Sequence, residues 1–238
     1  MGLMTISPKK STGVASDEHY DNVVLLLHGD GENNGVVFTD NSKYAHVPVS
    51  VQNGIKTSTD ITLINSRTIK TTGGNDCLKY AVLPEWLIGG ADFTFELTFL
   101  SAVAQFGMFF DIGNDNDLHI FRIHIFTDNS VNVLVRTTGD EYLGSAAGVF
   151  NLNEKVSIGV NYIHATHTLK LYVNNVMVAS KVLAGAVVNI ANSLCTVMAN
   201  GWGNFGYYSF VGYVDEIRLT QGVVRDLTIP QTLPFPDV

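Results

Sequence analysis

The stretch Phe93-Thr94-Phe95-Glu96-Leu97-Thr98-Phe99 alternates without a break. Phe93, Phe95, Leu97 and Phe99 fall on one side of an extended chain, and Thr94, Glu96 and Thr98 fall on the other. A period of two predicts a strand with one face in a core. The signal returns at Val156, Ile158, Val160 and Tyr162, and again at Leu169, Leu171 and Val173. Val23-Val24-Leu25-Leu26-Leu27-His28 is a nearly continuous apolar run suited to burial on both faces, and further strands are expected at 106–112, 118–126, 131–135 and 194–198. No segment carries apolar residues at helical spacing over about three turns, which argues against an α/β architecture. Leu83-Pro84-Glu85-Trp86-Leu87 is expected to make a single helical turn. The breaks Gly113-Asn114-Asp115-Asn116 and Asp128-Asn129-Ser130 are short and polar, so successive strands are read as antiparallel neighbours. The fold class is therefore all-β, with two packed antiparallel sheets.

A chain of 238 residues with 46% hydrophobic content can bury a large core, and one main domain is expected over residues 23–238. Charged residues are 15% and the net charge is -8, a balance that suits neither nucleic acid nor an anionic membrane. No window supplies about 18 uninterrupted apolar residues, and Met1 to Lys10 lacks the pattern of a standard signal peptide. Cys77 and Cys195 are expected as reduced, buried thiols. Residues 1–22 are polar and aperiodic and read as an arm, disordered in isolation or ordered along a neighbouring subunit. The tail 227–238, with Pro230, Pro234 and Pro236, must be extended.

Near the C-terminus, period two puts Tyr213, Asp215, Ile217 and Leu219 on one face and Val214, Glu216, Arg218 and Thr220 on the other. Asp215 then stands among apolar neighbours and needs backbone amides, a cation or a metal ion beside it. Glu216 and Arg218 are expected as an ion pair on the shared face, worth roughly 0 to 1 kcal/mol if exposed. Asn174-Asn175 is expected as a two-residue hairpin turn, because Asn tolerates positive φ.

Several of these strings resemble one family. The closing string Gly212-x-Val214-Asp215-Glu216-Ile217-Arg218-Leu219-Thr220-x-Gly222-Val223-x-Arg225 resembles the last strand of laminin-G-like, concanavalin A-like jelly-roll domains of bacteriophage structural proteins. Leu25-Leu26-Leu27-His28-Gly29-Asp30-Gly31 resembles their opening strand, followed by Phe38-Thr39-Asp40-Asn41-Ser42. Leu171-Tyr172-Val173-Asn174-Asn175 is similar to their Leu-Tyr-Val-Asn-Gly hairpin, with Asn175 in place of Gly. One departure is Val224-Arg225-Asp226-Leu227, where the family more often carries a Tyr after the Arg. The resemblance covers residues 23–236 and implies a two-sheet antiparallel jelly-roll sandwich. It also implies a structural Ca²⁺ at Asp30 and Asp215, the alternative being that Asp215 caps backbone amides.

Glucanases of related fold carry Glu-x-Asp-x-x-Glu on one strand, which places their carboxylates on one face for retaining hydrolysis. That spacing is absent, and no enzymatic activity is expected. Asp30-x-Glu32-x-Asn34-Gly35 fails as a calcium loop at its twelfth position, Asn41. Asp111, Asp115 and Asp117 read first as hairpin residues. His119 and His124 have opposite parity, and His164 and His167 lie in a turn, so no zinc site is expected. Trp202, Phe205, Tyr207 and Tyr208, set among Gly201, Gly203 and Gly206, either face a ligand or close the end of the sandwich.

The resemblance implies a non-enzymatic bacteriophage virion accessory protein, a decoration, head-fibre or tail component. It would be assembled in the host bacterial cytoplasm, exposed on the particle and attached to other virion proteins through residues 1–22. The alternative is a host-adhesion module that binds surface glycan. A homo-oligomer is compatible with either.

Overall fold

The computed structural model describes residues 16–52, 54–114, 118–199 and 208–238. In chain order its strands are β1 (Val23–Leu27), β2 (Ser50–Gln52), β3 (Lys56–Ser58), β4 (Thr68–Thr72), β5 (Cys77–Lys79), β6 (Phe93–Leu100), β7 (Gly107–Asn114) and β8 (Leu118–Ile125). There follow β9 (Val131–Arg136), β10 (Asp140–Gly144), β11 (Val156–Ile163), β12 (Thr168–Val173), β13 (Val176–Val182), β14 (Leu194–Val197) and β15 (Val211–Gln221). They form two antiparallel sheets. The eight-stranded sheet runs β13-β12-β11-β6-β15-β4-β3, with β1 also paired to β15, and the seven-stranded sheet runs β10-β9-β8-β7-β14-β5-β2. The expected single turn is a 3-10 turn at Pro84–Trp86. Asn174 and Asn175 take φ of 48 and 64, the two positive values that a tight hairpin turn requires.

The core lies between the sheets. Phe93, Phe95, Leu97 and Phe99 point into it from β6 and meet Phe109, Phe110 and Phe121 of the opposing sheet. Phe95 and Phe110 lie 4.7 Å apart between ring centroids, and Phe99 and Phe109 lie 4.8 Å apart, both tilted. Fully burying such side chains is worth about 1.5–3 kcal/mol each. Cys77 and Cys195 are free and buried. Strands β2, β3, β4 and β10 were not legible in the sequence. Three of them, β2, β3 and β10, close the sheet edges, where short polar segments serve better than apolar alternation.

Strand β15 does not keep a single period of two. Asp215 pairs with Thr98 and Arg218 with Glu96, so three steps along β15 match two along β6. The extra residue is a β-bulge, and Glu216 sits there with φ 53. The expected face assignment fails beyond Asp215. Val214, Ile217 and Leu219 fill the core, and Glu216 and Arg218 do not pair with each other. Glu216 accepts hydrogen bonds from Asn65 Nδ2 (2.5 Å) and the Phe235 N–H (2.7 Å), and its Oε1 lies 2.9 Å from His28 Nδ1. Burial opposes charging His28, but the Glu216 hydrogen bond and the charges of Glu216, Asp30 and Asp237 outweigh it and raise the imidazole above its ordinary value.

The outer face of β6 is buried as well. Thr94, Glu96 and Thr98 are almost inaccessible, because the chain after β15 returns over this sheet. Thr94 Oγ1 accepts the Arg225 N–H at 3.0 Å and donates to the Val223 carbonyl at 3.0 Å. Phe235 packs with Val23 and Leu26, and the Arg218 guanidinium lies 3.8 Å from its ring centroid.

Two arginines and two carboxylates are enclosed there. Arg218 donates from Nε to Glu96 at 2.8 Å and from Nη1 to Asp17 at 3.0 Å. Arg225 holds Asp17 with both terminal nitrogens, at 2.9 and 2.7 Å. The polar arm read over 1–22 is therefore not free at its end. Residues 16–22 dock on the domain through Asp17, whose N–H also donates to the Val238 carbonyl at 2.9 Å. Residues 1–15 lie outside the described residues. Burial resists ionisation of Asp17, yet the bond to Arg225, the His19 N–H and the charges of both arginines hold its carboxyl below the usual value.

Removing Asp17 leaves two guanidinium groups short of a buried partner. The Asp17→Ala variant should lose about 3–5 kcal/mol, the usual cost of breaking a buried ion pair from one side, read as a lower urea midpoint at pH 7. Because the carboxyl is depressed, its contribution is present above the unfolded value near 3.8 and fades as pH falls through the folded one. The gap between the two proteins should therefore narrow below about pH 4. A midpoint unchanged at pH 7 would mean that the network does not hold the termini.

Candidate functional site

Along the outer face of the seven-stranded sheet, β7 and β8 present polar side chains where a solvated sheet would normally show Thr, Lys or Glu. Ile112, Ile123 and Ile125 turn inward. Asp111, Arg122 and His124 therefore project outward, and His119 joins them because Ile120 and Phe121 both enter the core and shift the parity of β8. His119 and His124 thus share a face, contrary to the expectation of opposite parity.

The polar end of this face is compact. His119 Nδ1 lies 2.9 Å from Asp111 Oδ1, and Arg122 Nη2 lies 2.9 Å from His119 Nδ1 and 3.7 Å from Asp111 Oδ2. Asp111 and His119 are almost fully buried, while Arg122 keeps 13% side-chain exposure. Thr196 of β14 lies beside Asp111 in the ladder, and Lys79 of β5 lies beside Thr196. The buried Asp111 carboxylate and His119 imidazole thus hold the partly exposed Arg122 guanidinium on this face.

The other end is aromatic. His124 lies 5.2 Å from Phe106 and 5.0 Å from Phe126, and Phe106 meets Tyr208 edge-on at 4.8 Å. Tyr208 is 57% exposed and Phe126 38%. The Tyr208 carbonyl accepts the Met108 N–H at 2.8 Å, which ties Tyr208 to the start of β7. Flat exposed rings of this kind stack against the apolar face of a sugar or a protein side chain.

Of the aromatic residues singled out in the sequence, Tyr208 belongs to this group. Trp202, Phe205 and Tyr207 lie outside the described residues, as do Asp115 and Asp117 in the loop between β7 and β8. Asp111 is no hairpin residue but a strand residue with its own partners. Sequence reading missed Phe106, Asp111, His119, Arg122, His124 and Phe126 as a set. The available signal was the outward row His119, Arg122 and His124 in an otherwise apolar strand.

Asp30 and Asp215 were expected as calcium ligands. Asp215 Oδ2 accepts the N–H groups of Ile64 (3.0 Å) and Asn65 (3.2 Å), and its Oδ1 accepts that of Glu216 (3.0 Å). Burial raises this carboxyl to about 7, against the pull of the Asn65 and Ile64 N–H groups and with the help of the Glu216 charge. Asp30 is exposed. A hard cation needs six to eight oxygen ligands, whereas the groups around Asp215 are donors. The described residues at this position do not fit a calcium ion, and Asp215 acts as an amide cap.

Residues 73–229 match the sequence pattern of the concanavalin A-like lectin/glucanases superfamily. No curated protein matches the chain. Solved structures share the fold at low identity. The binding domain of Paraclostridial Mosquitocidal Protein 1 is 13% identical, with a TM-score of 0.66 over 89% of this chain and 52% of that one. Domain 4 of AbnA, a GH43 extracellular arabinanase from Geobacillus stearothermophilus, solved with arabinotriose, is 13% identical with a TM-score of 0.61, covering 87% and 97%. The CBM40 of Ruminococcus gnavus IT-sialidase, bound to alpha2,3 sialyllactose, is 14% identical with a TM-score of 0.58, covering 67% and 91%.

Burial, aided by the positive charge of Arg122 and opposed by Asp111, lowers His124 to about 4. An unfolded chain protonates this residue near 6.5, so stability is lost as pH falls from 6.5 towards 4. Asp215 has the opposite sign over an overlapping range, so the contribution is read by difference. Between pH 7 and pH 4, urea unfolding should show His124→Asn gaining about 3 kcal/mol on the parent. A difference independent of pH would show that His124 titrates normally.

Proposed function

The chain belongs to the concanavalin A-like lectin/glucanases superfamily, and from that membership we propose that it is a non-enzymatic glycan-binding module. The ligand lies on the outer face of the seven-stranded sheet. The observation that carries this reading is the continuous strip on β7 and β8, with Asp111, His119 and Arg122 at one end and Phe106, Phe126 and the exposed Tyr208 at the other. Sugars present hydroxyls around their edge and C–H groups on their faces, and this strip supplies the partly exposed Arg122 guanidinium, held by the buried Asp111 and His119, for the first and the rings of Phe126 and Tyr208 for the second. His124 stays neutral above about pH 4, so it meets a sugar at neutral pH as an uncharged group. Solved structures of like fold carry sialyllactose and arabinotriose, which supports an oligosaccharide as the ligand class. The missing Glu-x-Asp-x-x-Glu string supports binding without hydrolysis.

The finer reading is display on a bacteriophage particle. It rests on the resemblance of Leu25–Gly31 and of the closing strand to phage domains, and the placement of the termini is compatible with it. Asp17 and Val238 are hydrogen-bonded together over the eight-stranded sheet, so a virion partner held beside them leaves the proposed glycan face clear.

Two experiments test these readings. On an array of sialylated, arabinan and neutral oligosaccharides the purified chain should bind a defined subset, and Tyr208→Ala should weaken that binding about tenfold, the equivalent of about 1.4 kcal/mol, at unchanged melting temperature. Absence of binding to every oligosaccharide, or indifference to Tyr208→Ala and Arg122→Ala alike, would remove the proposal. For the virion reading, mass spectrometry of purified particles should detect the chain, and deletion of residues 1–15, which spares Asp17, should release it.

A further inference from the structure

On the other side of the sandwich, the returning tail does not seal the eight-stranded sheet. Between them lies a half-open cavity of about 270 Å³. Its floor is the outer face of β6 and β11, with Thr98, Ser157 and Gly159, and Glu96 lies at its inner end. Its walls are Ile64, Tyr172, Leu227, Pro230, Leu233 and Phe235. Gly159 keeps the floor low, since a Cβ there would meet Leu227 at 2.6 Å.

The polar groups around the rim are mostly committed to holding the tail. Asn175 Nδ2 donates to the carbonyls of Leu227 (3.2 Å) and Ile229 (2.8 Å). Gln231 Nε2 donates to those of Asp226 (2.7 Å) and Ile229 (3.1 Å), and Asn174 Oδ1 accepts the Ser157 N–H at 2.9 Å. Lys155 is different. It is exposed at the mouth, and its ammonium has no partner among the described residues. The other charge on the cavity, Glu96, is engaged by Arg218 and Arg225 through Oε2, while its Oε1 is sealed from water with no hydrogen-bond partner among the described residues.

We propose that this cavity is a second binding site, for a small amphipathic anion whose apolar body lies under the tail and whose carboxylate or equivalent group meets Lys155. The space exceeds the ~150 Å³ that accommodates a benzene-sized body in an apolar cavity. Apolar walls give the affinity, and the single uncommitted cation at the mouth sets the sign of the head group. An ammonium head at the mouth would face Lys155, and the one unpartnered carboxylate oxygen of the lining, Glu96 Oε1, is buried away from the mouth. This site is separate from the proposed glycan face, because the two lie on opposite sheets.

Isothermal titration calorimetry of the full chain with hexanoate, hexylamine and 1-hexanol tests the proposal. Hexanoate should bind once per chain and about tenfold or more tighter than hexylamine. Lys155→Ala should remove that preference while leaving 1-hexanol unchanged. Ser157→Phe, which fills the cavity from its floor, should abolish binding of all three. Should Ser157→Phe fail to fold, Leu233→Asp, which puts a carboxylate in the wall at a partly exposed tail position, should weaken hexanoate about tenfold or more and reverse its preference over hexylamine. Tyr208→Ala should leave hexanoate binding intact, which separates this site from the glycan face. Equal binding of hexylamine and hexanoate, hexanoate binding that survives a filled cavity, or no binding at all would overturn the proposal.

Discussion

Asp17, Glu96, Arg218 and Arg225 form a closed set of two negative and two positive groups beneath the tail, and the arrangement of the eight-stranded sheet depends on them. Each charge would be costly there alone. Together they neutralise one another across three separate parts of the chain, with only Glu96 Oε1 and Arg218 Nη2 of the set lacking a hydrogen-bond partner among the described residues. Glu96 comes from the middle of the domain, Arg218 and Arg225 from the closing strand and the turn after it, and Asp17 from the segment before β1. A hydrophobic cluster in their place could be packed by many side chains, whereas a guanidinium that must meet two carboxylates fixes both the register of β15 on β6 and the path of the termini. That is why a face that could have been solvated is covered instead.

The bulge at Glu216 makes the arrangement possible. Without the extra residue, strict alternation would turn Arg218 and Glu216 to one side together and leave Asp215 with Ile217 and Leu219. With it, Ile217 and Leu219 reach the core, Asp215 caps three backbone amides, Glu216 reaches His28, Asn65 and the Phe235 N–H, and Arg218 reaches Glu96 and Asp17. One residue in the left-handed region therefore redirects four side chains. The strain of that conformation is offset by the bonds it permits.

The two outer faces of the sandwich are consequently unlike. The eight-stranded sheet is strapped by the tail, and its polar groups are largely used in structure. The seven-stranded sheet carries the Asp111, His119 and Arg122 cluster and the Tyr208 aromatic group without a comparable strap among the described residues. A rigid sheet is a suitable base for recognition, since strand residues hold their side chains in place before a ligand arrives.

Periodicity by itself determined the fold class. Phe93 to Phe99, Val156 to Tyr162 and Leu169 to Val173 each send alternate residues into the core between the sheets, and alternation of that kind depends only on the local geometry of an extended chain. The Asn174-Asn175 turn was legible for the same reason, because positive φ is a property of the residue itself. What tertiary structure alone decided was where polar residues go. Asp215 became an amide cap, Glu216 and Arg218 parted, Asp17 joined the domain, and Asp111, His119 and Arg122 converged, in each case through partners far away in sequence. Local periodicity reports which side of a strand a residue occupies only until a bulge intervenes. It does not report what lies opposite, and the energy of a buried charge is set by what lies opposite.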